Sequence, residues 1–514
     1  MGSGDGLLSL HAPPGATALL TATSTLERSM SSSEDPLVLN GIDGVTGQYL
    51  VPPVDLPAAA EVADPRGDVP YFDAWKRWLQ VVPMGAKTFL PFDVDPTNPI
   101  QAGWGVVFHA QASEELRKSL EPLIAHRRGL VESDRMHVLT YQSGETAHQF
   151  LARYAVGVGD VDPTRVPAYL LLVGGPDDIP YDVQHSLSLS YYVGRLSFDT
   201  SAEYTRYAES VVAYETAATV PNHRQVSWWA PKHLGDRSTH LSADELVTTL
   251  ARGAPANEKP HYTKTIAAKL RYANTAAIED DATKEWLLDA LHGREARPAV
   301  LFTASHGLGF PAKDPRQLTD QGALLSQDWS GFGAMSPAHY VSAADIQDDA
   351  RLHGLVAFFF ACFGIGTPAH DEFPLDPTRR GEALAQAAFV AALPRRLLSH
   401  PGGGALAVIG HVERAWGFSI KPLNLVQSNV QPFNNSLALI MSGQPVGYAL
   451  RDFRSRYSDL NNILLTHLDT NTSNGKMAPR ELIHRWIERN DARNYVMLGD
   501  PAVRIRHTDL QVLP

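Results

Sequence analysis

Two stretches decide the fold: residues 298–307, PAVLFTASHG, and residues 354–364, GLVAFFFACFG. Each contains a short, nearly unbroken apolar run and ends in glycine. A strand with one wet face alternates apolar and polar residues. A run without alternation needs burial on both faces, the habit of parallel sheets covered by helices. Residues 404–412, GALAVIGHV, have the same character, and QVSWWAP at 225–231 is a fourth strand. Between these runs lie helical patterns. SADELVTTLARG at 242–253 is expected to start at an N-cap Ser242 with Glu245 three residues on. ATKEWLLDALHG at 282–293 ends in the C-cap glycine Gly293.

Upstream, the same alternation recurs. WGVVFHA (104–110), MHVLTY (136–141) and PAYLLLVGG (167–175) read as strands. Residues 113–129 carry Leu116, Leu120, Leu123 and Ile124 at helical spacing, and 145–156 form a second helix. A strand (191–198) and a helix (201–215) follow. Downstream, residues 436–460 read as a helix broken near Pro445, and NYVMLGDPAVRIRH closes the chain at 494–507. The expected fold class is α/β: two adjacent α/β/α units with mostly parallel sheets, over 101–222 and 223–514. Residues 1–36, rich in Gly, Ser, Thr and Ala, are expected to be a poorly ordered tail. Residues 37–100 read as Pro-rich strands and loops wrapping something larger.

Composition narrows the function. The 514 residues are 44% hydrophobic and 19% charged, as in folded soluble proteins. A net charge of −12 argues against nucleic acid or an anionic membrane surface as partner. The single cysteine, Cys362, excludes an intramolecular disulfide and a multi-cysteine zinc site, and suits a reducing compartment. No Lys or Arg precedes Arg28, so no positively charged leader region is read, and a cytoplasmic location is the expectation.

Ligands of open α/β sheets bind beyond the carboxyl ends of the strands. Residues 299–305 lead to His306-Gly307, residues 355–361 to Cys362-Phe363-Gly364, and residues 405–410 to His411, Glu413 and Trp416. A thiol and an imidazole at one end of neighbouring strands suit a Cys–His hydrolase. Cys362 is the candidate nucleophile and His306 the candidate acid–base group, with His411 as runner-up. His292-Gly293 is explained by a helix end, and His353-Gly354 lies at the wrong end of its strand. The N–H groups of Gly307 and Cys362 would form the oxyanion hole. No third residue orienting His306 is assigned from the sequence. A bland reading of Cys362 is an inert core thiol.

FTASHG and FFFACFG resemble the caspase–gingipain group of cysteine peptidases, whose strands end in His-Gly and Ala-Cys-x-Gly. The histidine precedes the cysteine by 56 residues, near the spacing of about 50 in caspases. Phe360 and Phe363 depart from the caspase pattern around the cysteine. The gingipain branch is more similar, through YLLLVGGPDDIP, YYVGRLSFDTSAEY, GQPVGYAL and YVMLGDPAVRIR, which together span residues 169–506.

The resemblance implies a gingipain-like first subdomain and a caspase-like subdomain carrying Cys362 and His306. It implies an endopeptidase that passes through an acyl-enzyme, acts on protein or peptide substrates, and needs no redox or metal cofactor. Calcium is admitted as a stabilising ion, without a site in the spacing. By analogy with caspase-like bacterial defence effectors, an intracellular zymogen that is partner-triggered or self-processed is expected.

A basic residue before the scissile bond (P1) would be bound by Asp236 or Glu413, each equally readable as a solvated loop carboxylate. Trp416 would form a pocket wall or belong to the core. Self-cleavage is considered after Arg380 or Arg396 in the segment 365–401, although GEALAQAAFVAAL (381–393) also reads as a helix. The alternatives are a latent or catalytically inactive scaffold of the same fold, a caspase-like enzyme with an acidic P1, and an α/β hydrolase or transferase in which Cys362 only packs. No G-x-S-x-G elbow, P-loop or H-E-x-x-H occurs.

Overall fold

In the computed structural model, the buried runs pair into one sheet. The structure describes residues 38–51, 90–157, 159–253, 262–373, 383–422, 428–469 and 479–513. The strands, in chain order, are β1 (Gly41–Asp43), β2 (Trp104–His109), β3 (Met136–Tyr141), β4 (Tyr169–Val173), β5 (Tyr192–Leu196), β6 (His223–Ala230), β7 (Ala273–Ile278) and β8 (Pro298–Ala304). They continue as β9 (Gly307–Gly309), β10 (Leu324–Leu325), β11 (Tyr340–Val341), β12 (Val356–Phe360), β13 (Gly366–Thr367), β14 (Phe389–Val390), β15 (Ala407–His411) and β16 (Tyr495–Gly499). The main sheet has ten strands in the order β3-β2-β4-β5-β16-β15-β12-β8-β6-β7.

The two α/β units expected from the sequence are the two wings of this one sheet. Within each wing all neighbours are parallel. Strand β16, from the C-terminal end, joins them: it is parallel to β5 and antiparallel to β15. The wings therefore point in opposite directions. The carboxyl ends of β8, β12 and β15 lie at one edge of the sheet, and those of β2, β4 and β5 at the other. A small sheet, β1-β9-β10-β11, sits beyond the end of β8, and β13 pairs with β14.

Aromatic rings lock the seam. Phe302 on β8 and Phe358 on β12 stack at 5.0 Å, and Phe453 contacts Tyr495 of β16 at 4.3 Å. Phe433, on the helix Gln431–Met441, meets Phe453 at 5.1 Å. Such pairs add about 0.5–1.5 kcal/mol each beyond area burial.

Local chemistry sets the helix ends. Thr146 with Gln149, and Thr200 with Glu203, form capping boxes. Gly293 closes Lys284–His292 with φ 60°, as its expected C-cap role requires. The broken helix is also seen, with Gln431–Met441 separated by Pro445 from Val446–Ala449 and Arg451–Asp469.

Two expectations are corrected. The helix assigned to start at Ser242 begins at Arg237, because the Asp236 carboxylate accepts from Ser238 N at 3.0 Å. Ser242 lies inside the helical run, with its hydroxyl on Thr239 O at 3.3 Å. The second concerns 381–393, whose first two residues lie outside the described ones. Phe389–Val390 is strand β14, its register set by Gly366–Thr367, and a helix starts only at Ala392. Arg396 is inside that helix, and its guanidinium holds Ile346 O at 2.8 Å and Asp348 at 2.6 Å, so it offers no extended segment for cleavage. Arg380 lies outside the described residues. Among the described residues no helix is long and apolar enough to cross a membrane.

A buried charge cluster ties β2, the helix Glu121–Leu130, the helix Ser201–Thr216 and the end of β16 together. Arg127 donates to Glu215 at 2.6 and 2.7 Å and to Asp500 at 2.8 Å. Trp104 Nε1 reaches the same Asp500 at 2.8 Å. Removing one partner of a buried ion pair leaves a desolvated charge. Arg127→Ala should therefore cost about 3–5 kcal/mol, read as a fall in the chemical-denaturation midpoint. Burial pushes the Glu215 carboxyl up, but Arg127 and His126 outweigh it and hold it down at about 2, from an ordinary 4.5. A depressed carboxylate contributes fully above its ordinary value and loses that contribution as pH falls toward 2. The stability of Glu215→Gln should therefore fall less steeply with pH across that window than that of the wild type.

Candidate active site

The register of two adjacent strands brings the candidate nucleophile and the candidate base together. Ala304 of β8 pairs with Phe360 of β12, so His306 and Cys362 each stand two residues past matched strand ends. Both are fully buried. A Cβ on Gly307 would come within 1.8 Å of Cys362 O, so only glycine permits this approach. Phe363 takes a left-handed φ of 56°, a conformation uncommon outside glycine, and this turns the chain sharply after Cys362.

His306 Nε2 hydrogen-bonds to the Asp236 carboxylate. Asp236 also receives the Tyr49 hydroxyl, Ser238 N at 3.0 Å and Thr239 Oγ1 at 2.9 Å. Burial pushes the Asp236 carboxyl up, but His306 and these hydrogen bonds outweigh it and hold it well below the usual carboxylate range. The carboxylate thus fixes the ring of His306 and leaves Nδ1, which has no partner among the described residues, for other work. Asp236, expected at a substrate pocket, is instead bonded to His306, a pairing that sequence reading did not assign. His233 lies near-parallel to His306, with centroids 6.3 Å apart; burial, helped by His306, lowers it to about 4. The ligand atoms of His233, Asp236 and His306 lie within 4.8 Å of one another, a spacing that suits a divalent transition metal. With one carboxylate the group is poor for calcium, which wants six to eight oxygens.

The other expected residues are engaged elsewhere. Glu413 is buried and held by Arg414 at 2.6 and 2.9 Å. Arg414 in turn bonds Asp371. The two carboxylates offered to a basic P1 are therefore both committed to other partners, for burial makes an unpaired carboxylate costly. Trp416 packs on Phe373 at 5.7 Å, in the core. Its contribution to the cleft is its backbone, fixed by Trp416 N donating to Asp491 at 2.9 Å. His411 Nε2 faces Asp491, 2.9 Å from its carbonyl oxygen.

A segment that sequence reading treated as a wrapping region runs through the cleft. Gly307 N and Cys362 N both donate to one oxygen, the Asn40 carbonyl, at 3.1 and 3.0 Å. Asn40 N donates to Ala415 O at 3.0 Å, Leu39 forms an antiparallel bridge with Trp416, and Gly417 N donates to Val38 O at 3.0 Å. A Cβ on Gly41 would lie 2.8 Å from Cys362 Sγ, so the sulfur rests against the residue after Asn40. Beyond it, β1 pairs with β9, and Ile42 is buried among Leu308, Phe310 and Trp329. Ala415 N donates to Cys362 Sγ at 3.1 Å. Burial drives the thiol well above its ordinary value, against the pull of Ala415 N–H and Arg414. In the sequence, Asn40-Gly41 carries only a turn signal.

A parallel sheet presenting Cys362 and His306 at adjacent strand ends, with two convergent backbone N–H groups, defines a cysteine hydrolase of the caspase-like class. The profile of Peptidase family C25 matches residues 112–506, and the chain belongs to that family, the gingipain family of cysteine peptidases. Among solved structures it is similar to the Arg-specific cysteine proteinase gingipain R (RgpB), at 13% identity and a TM-score of 0.41, covering 82% of this chain and 81% of that one. It is also similar to the complex of Porphyromonas gingivalis RgpB pro- and mature domains, at 12% identity and a TM-score of 0.39, covering 79% and 80%. No curated protein matches the chain.

Asp236→Asn keeps an acceptor for Ser238 N but removes the charge beside His306. The substitution should lower kcat/KM for peptide hydrolysis by roughly 10²- to 10⁴-fold. It should also lower folding stability by about 1–3 kcal/mol, because the helix cap survives but an amide cannot accept from all four donors. Steady-state kinetics with a parallel thermal melt checks both.

Proposed function

We propose that this peptidase hydrolyses peptide bonds through Cys362, with His306 carrying the proton and Asp236 orienting His306. The reading is carried by one observation: two backbone N–H groups, Gly307 and Cys362, converge on a single carbonyl oxygen beside the thiol. Such donors lower the barrier by stabilising the oxyanion of the tetrahedral intermediate, each by about 3–4 kcal/mol. His306 Nδ1 takes the thiol proton as sulfur attacks and returns it to the leaving amine. His233, lowered to about 4 by burial and by His306, adds no second positive charge at neutral pH beside the imidazolium that forms.

The occupied cleft supports latency in the intact chain. Val38–Asp43 fills the groove, buries the thiol and uses both oxyanion donors. A buried thiol in an apolar setting is a poor nucleophile toward reagents in solution.

Two measurements test this. With the segment loosened by Leu39→Asp, the full-length chain should cleave a quenched-fluorescent peptide library, and adding Cys362→Ala should lower the rate by at least about 10³-fold. Activity retained in Cys362→Ala would reject the nucleophile. Second, iodoacetamide should label Cys362 of the intact chain at neutral pH at least about ten times more slowly than a free thiol. Leu39→Asp places a charge at a buried site and should loosen the segment and speed labelling. Labelling as fast as a free thiol in the wild type would reject latency.

A further inference from the structure

We infer that residues 38–41 are bound as a substrate, and that the protein cleaves its own chain at the Asn40–Gly41 bond with a pocket that selects asparagine. The inference rests on the catalytic roles proposed above. The geometry is that of a peptide bond placed for hydrolysis. Chain direction is antiparallel to residues 415–417, and the hydrogen bonds run alternately: Val38 O accepts, Asn40 N donates. This is antiparallel backbone pairing with the stretch that follows β15, a common way for an extended peptide to be held. The Asn40 carbonyl occupies the oxyanion position rather than passing beside it, with both donors near 3.0 Å. The residue after the bond lies against Sγ.

The side chain of Asn40 supplies the specificity argument. It is 1% exposed, and its Nδ2 donates to Ser305 O and Ser242 Oγ, each at 3.3 Å. Ser242 Oγ is itself directed to Thr239 O at 3.3 Å. Both Ser242 and Ser305 are buried. A backbone carbonyl can only accept, so the pocket requires an N–H donor at this point. An aspartate would set carboxylate oxygen against carbonyl oxygen. An arginine would bring a buried cation into a pocket where, among the described residues, no carboxylate bonds to the P1 group. A site built around one hydrogen bond rejects analogues lacking it by large factors.

The step balances without a cofactor. The Cys362 sulfur bonds to the Asn40 carbonyl carbon and its proton passes to His306. The Asn40–Gly41 C–N bond breaks, and the Gly41 nitrogen takes that proton as it leaves. Water then adds to the thioester, releasing the Asn40 carboxylic acid and restoring the thiol. The chain up to Asn40 is released from the body. Gly41 stays with the body, since β1 is paired to β9 and Leu50 N returns to Gly41 O at 3.2 Å.

The test uses the full-length chain incubated at neutral pH, followed by intact mass and N-terminal sequencing. The expected product begins at Gly41, and Cys362→Ala remains one chain. Asn40→Asp, which loses the donor, should slow processing by at least about 100-fold, and Asn40→Gln, which keeps it one methylene farther out, by about 10-fold or more, with thermal melts showing that both variants fold. Added in trans, fluorogenic Val-Leu-Asn peptide should be preferred to the Val-Leu-Asp and Val-Leu-Arg peptides by about 100-fold in kcat/KM, and to the Val-Leu-Gln peptide by about 10-fold. Peptide hydrolysis through Cys362 with Asn40–Gly41 left intact, or with Arg preferred, overturns this inference and leaves the catalytic reading standing. Cleavage at Asn40–Gly41 that persists in Cys362→Ala overturns it too, because the bond then breaks without the thiol. Absence of any Cys362-dependent cleavage, of chain or peptide, removes the catalytic reading beneath it.

Discussion

The reversal of strand direction between β15 and β16 organises the molecule. Strands β2 to β5 run one way and β6, β7, β8, β12 and β15 the other, and among the described residues the one antiparallel ladder of the ten-stranded sheet is the five-residue one between Ala407–His411 and Tyr495–Gly499. Because strand ends carry the loops where ligands bind, this ladder decides that one wing faces the cleft and the other faces away. It also explains why β16 needs such support. Its flanks are held by Phe453 against Tyr495 and by Asp500, which collects Trp104 and Arg127 from the far wing. Among the described residues, the first wing contributes no side chain hydrogen-bonded to Cys362 or His306, yet the second wing's edge strand rests on it through β16.

Within the second wing, the candidate site follows from matched registry. The Ala304–Phe360 pair puts two loops at the same height, and the glycine after His306 lets them touch. Asp236 arrives from a third place, the turn after β6, where it caps one helix and binds His306 at once. The same carboxylate receives Tyr49 from the hairpin that follows the cleft segment. One buried anion therefore links helix start, imidazole and N-terminal hairpin. Its low proton affinity follows from that set of donors rather than from burial, which alone would raise it.

The cleft segment is held by many small terms rather than one strong one. Its backbone is paired on both sides, to 415–417 before Asn40 and to β9 after it. Leu39 and Ile42 are buried. Because it is part of the same chain, its local concentration at the groove is set by tethering, and no association entropy opposes it. Tethering of this kind lets a segment of ordinary affinity keep a cleft closed.

Much of the framework was legible from pattern alone. Unbroken apolar runs such as VAFFF need two-sided burial, and that requirement produced the strands, their parallel pairing and the choice of Cys362 and His306 at the strand ends. Helix signals were local too, as at Gly293 and Pro445. Where local signals competed, tertiary contacts decided: Asp236 displaced Ser242 as a cap, and pairing with Gly366–Thr367 drew Phe389–Val390 out of a helical pattern. The roles of Asp236, Glu413 and Trp416 could not be read, because a carboxylate's function depends on which cation or imidazole the fold brings beside it. Nor could the joining of both wings into one sheet, which rests on a strand some 300 residues from β5 in sequence. Asn40 marks the limit most clearly. Alone, Asn-Gly is a turn signal; only the folded chain sets its carbonyl between Gly307 and Cys362, because hydrogen bonding across more than 260 residues is a property of three-dimensional packing, not of neighbours in sequence.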